Sequence, residues 1–387
     1  MVSKDKIKTC CKRAIENVIY ESCTDVDLFN RPFEIEYLKD SQFQGEMCET
    51  ITDAISQGKI ENLKLHKLGH VLVPKKNLFD FRKCALTEIY DEIVYLTLVL
   101  IIAKNVESAR INKNKHRVYS YRYRCYETGR IFDADYNYTA FRSEASRKAC
   151  LRNNKVMIEC DLSNFYDRLN IHRIDSTLKS LNNVDEDIID LINESLLFWA
   201  NRDSYGLPVG SNASRILAEV ALLEIDNFMI ANKIDFCRFV DDYRIFASDA
   251  QKAHSQLAML VQRLSKEGIT LNSQKTKLTD ISSWKAEKNK SIVDNDSDKT
   301  NIASEACEKN TKHFVDENKS KIIRGYSGLV PTKFRELTLS QIEKLQEKSL
   351  DEMYNVLKET ILVDPKSISE FIKTIVAQNR IDYLAKV

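Results

Sequence analysis

The sequence predicts an α+β fold, with a ferredoxin-like β-α-β-β-α-β core followed by a helical C-terminal lobe. Three features carry that expectation. The run Lys155-Val156-Met157-Ile158-Glu159-Cys160 is short, mostly apolar and ends at Asp161, as a buried strand would. Two β-prone runs, near 235–240 and 243–247, flank Asp241-Asp242 and read as a hairpin. The stretches between and after these strands repeat apolar residues near a 3.6-residue period.

Taken in order, helices are expected over 171–181, 185–200 and 212–232, the last with Ile216, Leu217, Val220, Leu223 and Ile225 close to a 3.6-residue repeat. Residues 250–267 read as a further amphipathic helix, stopped by Gly268, and a short strand follows near 276–279. With the first helices collapsed into one layer, this is the split β-α-β-β-α-β arrangement, in which the first strand neighbours the hairpin. Asp161 and Asp241-Asp242 should therefore converge at one edge of the sheet. Three carboxylates in one place need raised pKa values or a cation. Taken singly, Asp161 could cap the turn before Ser163, and Asp241-Asp242 could be a solvated turn. Their convergence favours a divalent-metal site.

Residues 1–150 do not repeat this pattern. Within them, 104–130 is basic and rich in tyrosine: Arg110, Lys113, Lys115, Arg117, Arg122, Arg124 and Arg130, with Tyr119, Tyr121, Tyr123 and Tyr126. Basic groups neutralise phosphates and rings stack on bases, so the stretch reads as a nucleic-acid face; a solvated charged loop is the alternative. Residues 285–321 are dominated by Lys, Asn, Asp, Ser and Glu and read as a connector. A helix is expected over 340–363, with Ser340 and Glu343 as a capping box and a stripe of Leu345, Met353, Val356 and Leu357. Pro365 breaks it, and a second helix runs over 367–378. The expected division is 1–150, 151–284 with the core motifs, a polar connector at 285–330, and a helical lobe at 331–387.

The bulk numbers narrow the class. At 387 residues the chain suggests two or three lobes, on a scale of about 100–200 residues per domain. Its 43% hydrophobic content is ordinary for a globular protein, and the net charge of +1 hides local unevenness. The ten cysteines include no C-x-x-C pair, which argues against structural zinc and for reduced thiols used as small core residues. His66 and His70 stand four apart, but Lys67 occupies the position where a metalloprotease helix needs Glu. The N-terminus shows no leader-like apolar run, and the longest apolar stretch, 93–103, falls short of the roughly 18 residues a membrane span needs. A soluble, cytoplasmic protein with no membrane partner is expected.

Four segments in order then carry a family resemblance: Asp161-Leu162-Ser163-Asn164-Phe165-Tyr166-Asp167; Gly206-Leu207-Pro208-Val209-Gly210 with Ser214; Phe239-Val240-Asp241-Asp242; and Leu271-Asn272-Ser273-Gln274-Lys275-Thr276. Together they resemble the palm motifs of reverse transcriptases. Val73-Pro74-Lys75-Lys76-Asn77 with Arg82 resembles that family's triphosphate-contacting fingers segment, so the likeness covers about residues 60–280.

The resemblance implies a right-hand polymerase with fingers, palm and a thumb-like C-terminal lobe. It implies that Asp161 and Asp241, assisted by Asp242 and the backbone carbonyl of Leu162, hold two Mg²⁺ ions, with Mn²⁺ as the substitute ion. Lys75 and Arg82 would neutralise the incoming dNTP, and Lys275 would protonate the leaving pyrophosphate. Tyr166, beside Phe165, would lie under the sugar and exclude a 2′-hydroxyl. Gly206, Pro208 and Ser214 would line the nucleic acid, Gly210 would lie at the incoming dNTP, and Arg122 and Arg124 of the basic stretch are expected on the nucleic-acid face. The implied partners are an RNA template, a DNA product and dNTPs.

Phe239 stands where the family usually has Tyr, and Val209 where retroviral and intron enzymes commonly have Gln. A histidine- and cysteine-rich endonuclease tail and the retron signatures Val-Thr-Gly and Asn-Ala-x-x-His are absent from the sequence. Val118-Tyr119-Ser120-Tyr121-Arg122, with the segment 206–219, is most similar to bacterial abortive-infection and defence-associated reverse transcriptases. That likeness implies an antiphage role in the bacterial cytoplasm. Some members of the group work with a structured non-coding RNA, some prime from protein, and some polymerise without an ordinary template. A non-coding RNA, and a homo-oligomer or second protein subunit, are the further expected partners. Two other readings stand beside it: an RNA-binding scaffold with weak catalysis, and an RNA-dependent RNA polymerase on the same palm, against which Tyr166 argues.

Overall fold

The computed structural model describes residues 2–22, 31–74, 81–126, 128–200, 203–284, 343, 345–359, 365–380 and 382–383. These fall into two compact units: 70–74, 81–86 and the C-terminal helices belong to one, and nearly all the rest to the other.

The larger unit opens with α1 (Lys4–Glu21), α2 (Pro32–Tyr37), α3 (Ser41–Ser56) and α4 (Ile60–Leu63). Ser3 and Asp40 accept from the backbone N–H groups of Lys6 and Phe43, capping α1 and α3. In the smaller unit, β1 (Gly69–Pro74) and β2 (Phe81–Leu86) form a two-stranded sheet. The apolar run at 93–103 lies inside α5 (Ile89–Ala109), which is buried on nearly every side. A helix apolar all round must be enclosed, and α1, α9 and α10 enclose this one. No helix among the described residues is long and apolar enough to cross a membrane.

The remaining elements of this unit are α6 (Tyr138–Ala149), β3 (Val156–Asp161), α7 (Phe165–Arg168), α8 (Ile171–Lys179), α9 (Glu186–Trp199), α10 (Asn212–Ala221), α11 (Leu223–Ala231), β4 (Asp235–Phe239), β5 (Asp242–Ala247), α12 (Ala250–Lys266) and β6 (Lys277–Asp280). Strand order is β4-β5-β3-β6, antiparallel throughout. Alternation places Met157, Cys237 and Phe246 against Phe141 of α6, while Ile158, Phe236 and Ile245 enter the main core. Burial on both faces fixes the register, because a one-residue slip would exchange the two sets. The segment 117–119 covers the β4 edge: Arg238 donates its N–H to the Arg117 carbonyl at 2.7 Å, and Tyr119 donates to the Arg238 carbonyl at 2.9 Å.

Two expected helices are divided. The one over 212–232 breaks at Leu222 into α10 and α11, so that Ile216, Leu217 and Val220, then Ile225 and Met229, each reach the core. In the smaller unit the chain leaves helical conformation at residues 347–349, and Ser349 accepts from the Glu352 N–H at the start of α13 (Leu350–Glu359). This helix packs with α14 (Pro365–Ala377) through Leu350, Phe371, Ile375 and Tyr383. The expected cap at Ser340 and the connector at 285–330 lie outside the described residues. The described cysteines are free thiols.

Candidate active site

The site begins with strand pairing. Asp161, the last residue of β3, stands opposite Asp242, the first of β5. The Leu162 N–H donates to the Asp241 carbonyl at 3.1 Å, and the Asn272 N–H to the Asp161 carbonyl at 2.8 Å. Backbone bonds therefore gather Asp161, Asp241, Asp242 and the loop before β6 at one strand end.

Burial and the neighbouring carboxylates of Asp161 and Asp242 push the Asp241 pKa up to about 7. Burial likewise raises Asp242, opposed by Arg244, whose Nη1 lies 3.4 Å from its Oδ1. Lys275 Nζ reaches Asp161 Oδ2 at 2.8 Å. Burial works against that ammonium, but Asp161 outweighs it and holds the Lys275 pKa above the ordinary lysine value.

The three carboxylates share the strand end without closing into a cage. Among the described residues, no group of three or more His, Cys, Asp and Glu is arranged to hold a metal ion. Lys275 and Arg244 each engage one of these carboxylates. An open, oxygen-only donor set still suits Mg²⁺, which takes one or two carboxylates and completes its shell with water and substrate phosphates. The raised Asp241 pKa is the electrostatic mark of a place that a cation would relieve.

Phe165 is buried in the core and the partly buried Tyr166 ring meets it edge-on, with centroids 5.4 Å apart. The Tyr166 carbonyl accepts from the Leu207 N–H at 3.1 Å, tying the short helix α7 to the 206–210 segment. Gly206 and Gly210 have φ of +97° and +119°, which side-chain-bearing residues rarely adopt. Phe239 sits among Tyr121, Tyr138 and Phe141.

Several expected nucleic-acid contacts take other places. Pro208 is buried. Ser214 is also buried, its hydroxyl 3.1 Å from the Tyr95 hydroxyl. Arg122 is 1% exposed: Nε lies 3.0 Å from Glu107 Oε1, and Nη2 donates to the Ile111 carbonyl at 2.7 Å. Burial, with Arg110 nearby, lowers its pKa to about 10. Arg110, Lys113 and Arg117 are likewise engaged by Glu219, Asp133 and Asp235. Much of the basic stretch is therefore an internal lattice rather than a phosphate track, because Glu107, Asp133, Glu219 and Asp235 pair with its cations. Arg124 is exposed, its guanidinium over the Tyr126 ring at 5.0 Å. Lys75 lies outside the described residues, and Arg82 lies on β2 in the smaller unit.

Sequence reasoning assigned no role to Arg238 or Glu219. Arg238 is fully buried; Nη1 and Nη2 lie 3.1 and 2.8 Å from Glu219 Oε1 and Oε2, and Nε and Nη2 lie 3.0 and 2.5 Å from Asp226 Oδ1 and Oδ2. Burial alone would lower its pKa, but Asp226 and Glu219 hold it well above the ordinary value. The available signal was a charge inside the apolar run Phe236-Cys237-Arg238-Phe239-Val240 and another on the core face of the 212–232 helix.

Residues 102–313 match the sequence model of the family described as "Reverse transcriptase (RNA-dependent DNA polymerase)". Among solved structures, the chain is similar to an apo telomerase from Candida tropicalis truncated from its C-terminal domain (14% identity, TM-score 0.41, covering 56% of this chain and 50% of that one). It is also similar to a telomerase from Candida albicans in complex with a TWJ fragment of telomeric RNA (13% identity, TM-score 0.40, covering 56% and 43%). The match thus spans half or less of those telomerase chains. A comparison with curated proteins finds no match. The family match covers more than half of the sequence, and the chain belongs to the reverse transcriptase family, the RNA-dependent DNA polymerases, which are nucleotidyltransferases.

Proposed function

We propose that this chain copies an RNA template into DNA at the strand end bearing Asp161, Asp241 and Asp242, as part of a bacterial antiphage defence system working with a non-coding RNA. The observation that carries the reading is the β3–β5 register, which sets Asp161 opposite Asp242 with Asp241 at the adjoining turn. In this reading residues 1–150 supply the fingers, 151–284 the palm, 285–330 a connector and 331–387 a thumb-like lobe.

Asp161 and Asp241 would hold the metal ions, with Asp242 assisting and the backbone carbonyl of Leu162, next to Asp161, as a further ligand. Two Mg²⁺ ions, or Mn²⁺ in their place, supply charge stabilisation to the attacking 3′-oxygen and the leaving pyrophosphate oxygen. Lys275 keeps its proton while bound to Asp161 and is placed to give it to the leaving group. Lys75 and Arg82 meet the triphosphate. Tyr166, backed by Phe165, fills the space a 2′-hydroxyl would need. Gly206 and Gly210 allow close backbone approach, and Arg124 meets phosphate from an exposed position.

The defence setting rests on the likeness of 118–122 and 206–219 to abortive-infection enzymes. Its test is phage plating on cells expressing wild type or Asp241→Asn, together with sequencing of nucleic acid that co-purifies with the protein. Protection by wild type alone, with one enriched structured RNA, is the expected result. Equal plating on both strains, or no enriched RNA, overturns the defence reading.

A further inference from the structure

Val240 has φ +54° and is the one β-branched residue at positive φ among the described residues. It occupies the first position of the two-residue turn between the paired residues Phe239 and Asp242, a place where such turns favour glycine. A β-branched side chain there is strained, so neighbouring bonds must hold the conformation. The next residue is Asp241. Arg238 Nη1 donates to the Val240 carbonyl at 3.0 Å and lies 3.4 Å from Ser120 Oγ. The guanidinium also bonds the two carboxylates of Glu219 and Asp226 and lies over the Tyr243 ring, 5.9 Å from its centroid. Arg110 Nη2 at 2.6 Å and Ser120 Oγ at 2.5 Å in turn bond to Glu219. The backbone of Arg238 is fixed by Arg117 and Tyr119 on the other side.

We propose that Arg238 is a positioning residue of the active site: its guanidinium, clamped by Glu219 and Asp226, grips the Val240 carbonyl and keeps the strained turn in the form that presents Asp241 beside Asp161. The inference rests on the metal-binding reading of those two carboxylates. Arginine suits the task because its planar fork satisfies two carboxylates and still aims an N–H at the carbonyl. Lysine could balance the charge but has no rigid fork to do the aiming.

The test uses the full chain as wild type, Arg238→Lys, Val240→Gly and the double variant. Glycine adopts positive φ without strain, so the grip should matter less once Val240 is replaced by glycine. Two quantities are read: the thermal unfolding midpoint without divalent ions, and the Mg²⁺ concentration giving half of the Mg²⁺-induced shift in that midpoint. Arg238→Lys should raise the half-shift concentration about tenfold in the wild-type background and no more than about threefold in the Val240→Gly background. It should also lower the metal-free midpoint by at least about 3 °C more in the wild-type background. Losses equal in both backgrounds show that Arg238 only fills a buried charge site and overturn the proposal. If Arg238→Lys gives no cooperative transition, Glu219→Gln loosens the same clamp and should show the same pattern at smaller size; the same equality overturns it. Coupling in the metal-free midpoint needs neither metal nor turnover. Its presence in a chain that does not polymerise would remove the polymerase reading and leave the positioning role standing, whereas its absence in an active polymerase would do the reverse.

Discussion

Lys275 and Asp161 form a direct ion pair at 2.8 Å, joining the loop before β6 to the end of β3. The pair sets a cation beside the carboxylates, so its loss should affect both their charge balance and the proton needed by the leaving pyrophosphate. Lys275→Ala should slow single-turnover incorporation by about a hundredfold, the lower range for a lost general acid. Lys275→Arg should recover little of the rate, because guanidinium holds its proton too tightly. Rapid-quench measurements at saturating dNTP decide it, and an unchanged rate in Lys275→Ala assigns the lysine to the surface.

Tyr166 is fixed by Phe165 on one side and by the Leu207 N–H on its carbonyl. Removing the ring from this supported position should open space for a 2′-hydroxyl. Tyr166→Ala is expected to admit matched rNTPs while dNTP incorporation falls only moderately. Single-nucleotide incorporation with each sugar measures this. A variant as selective as wild type would move the discrimination to another residue, with Phe165 the first to examine.

Glu219 is 1% exposed and bonds both Arg110 and Arg238. Glu219→Ala leaves two buried guanidinium groups short of a counter-charge and should cost about 3–5 kcal/mol of stability. Urea unfolding followed by circular dichroism tests this, and a loss below about 1 kcal/mol would mean that the network is solvated.

The basic stretch separates into two behaviours. Arg124→Ala should weaken nucleic-acid affinity and reduce the slope of log affinity against log salt by about 1, as expected for one lost phosphate contact. Arg122→Ala should leave that slope unchanged and instead lower stability, because the buried bond to the Ile111 carbonyl and one of the two arginine partners of Glu107 would be lost. Binding isotherms at several salt concentrations distinguish the two. A reduced slope in Arg122→Ala would place that residue at the interface after all.

Much of the site was legible because its logic is local. A short, mostly apolar run marked β3 and two β-prone runs marked β4 and β5, and an Asp-Asp between two such runs is a turn with an electrostatic problem. Once the strands were named, their pairing followed from topology. The fate of Arg122 and the roles of Arg238 and Glu219 were not legible, because the pairings depend on how the elements pack. Arg122 meets Glu107 of α5, Arg238 meets Glu219 and Asp226, and Glu219 also meets Arg110, 109 residues away. Glu107 and Glu219 sit in helices whose apolar faces carried the stronger signal, and Asp235 opens a strand where it read as a boundary. The division at Leu222 was hidden for a related reason. Apolar residues run through it without interruption, and only the direction of packing separates α10 from α11.

Whether Asp241 works with Asp161 at the end of β3 is decided by primer extension with purified wild type and Asp241→Asn. Both proteins are given an RNA template, a DNA primer, dNTPs and Mg²⁺, with circular dichroism and thermal unfolding as the check on folding. Asparagine keeps the size of the side chain and removes a charge that burial and two neighbouring carboxylates disfavour, so the variant should unfold no earlier than wild type. Extension by wild type and a loss of about a thousandfold in the variant, equivalent to about 4 kcal/mol of transition-state stabilisation, are the expected results. Near-normal extension by a folded Asp241→Asn protein would contradict the joint role of Asp241 and Asp161.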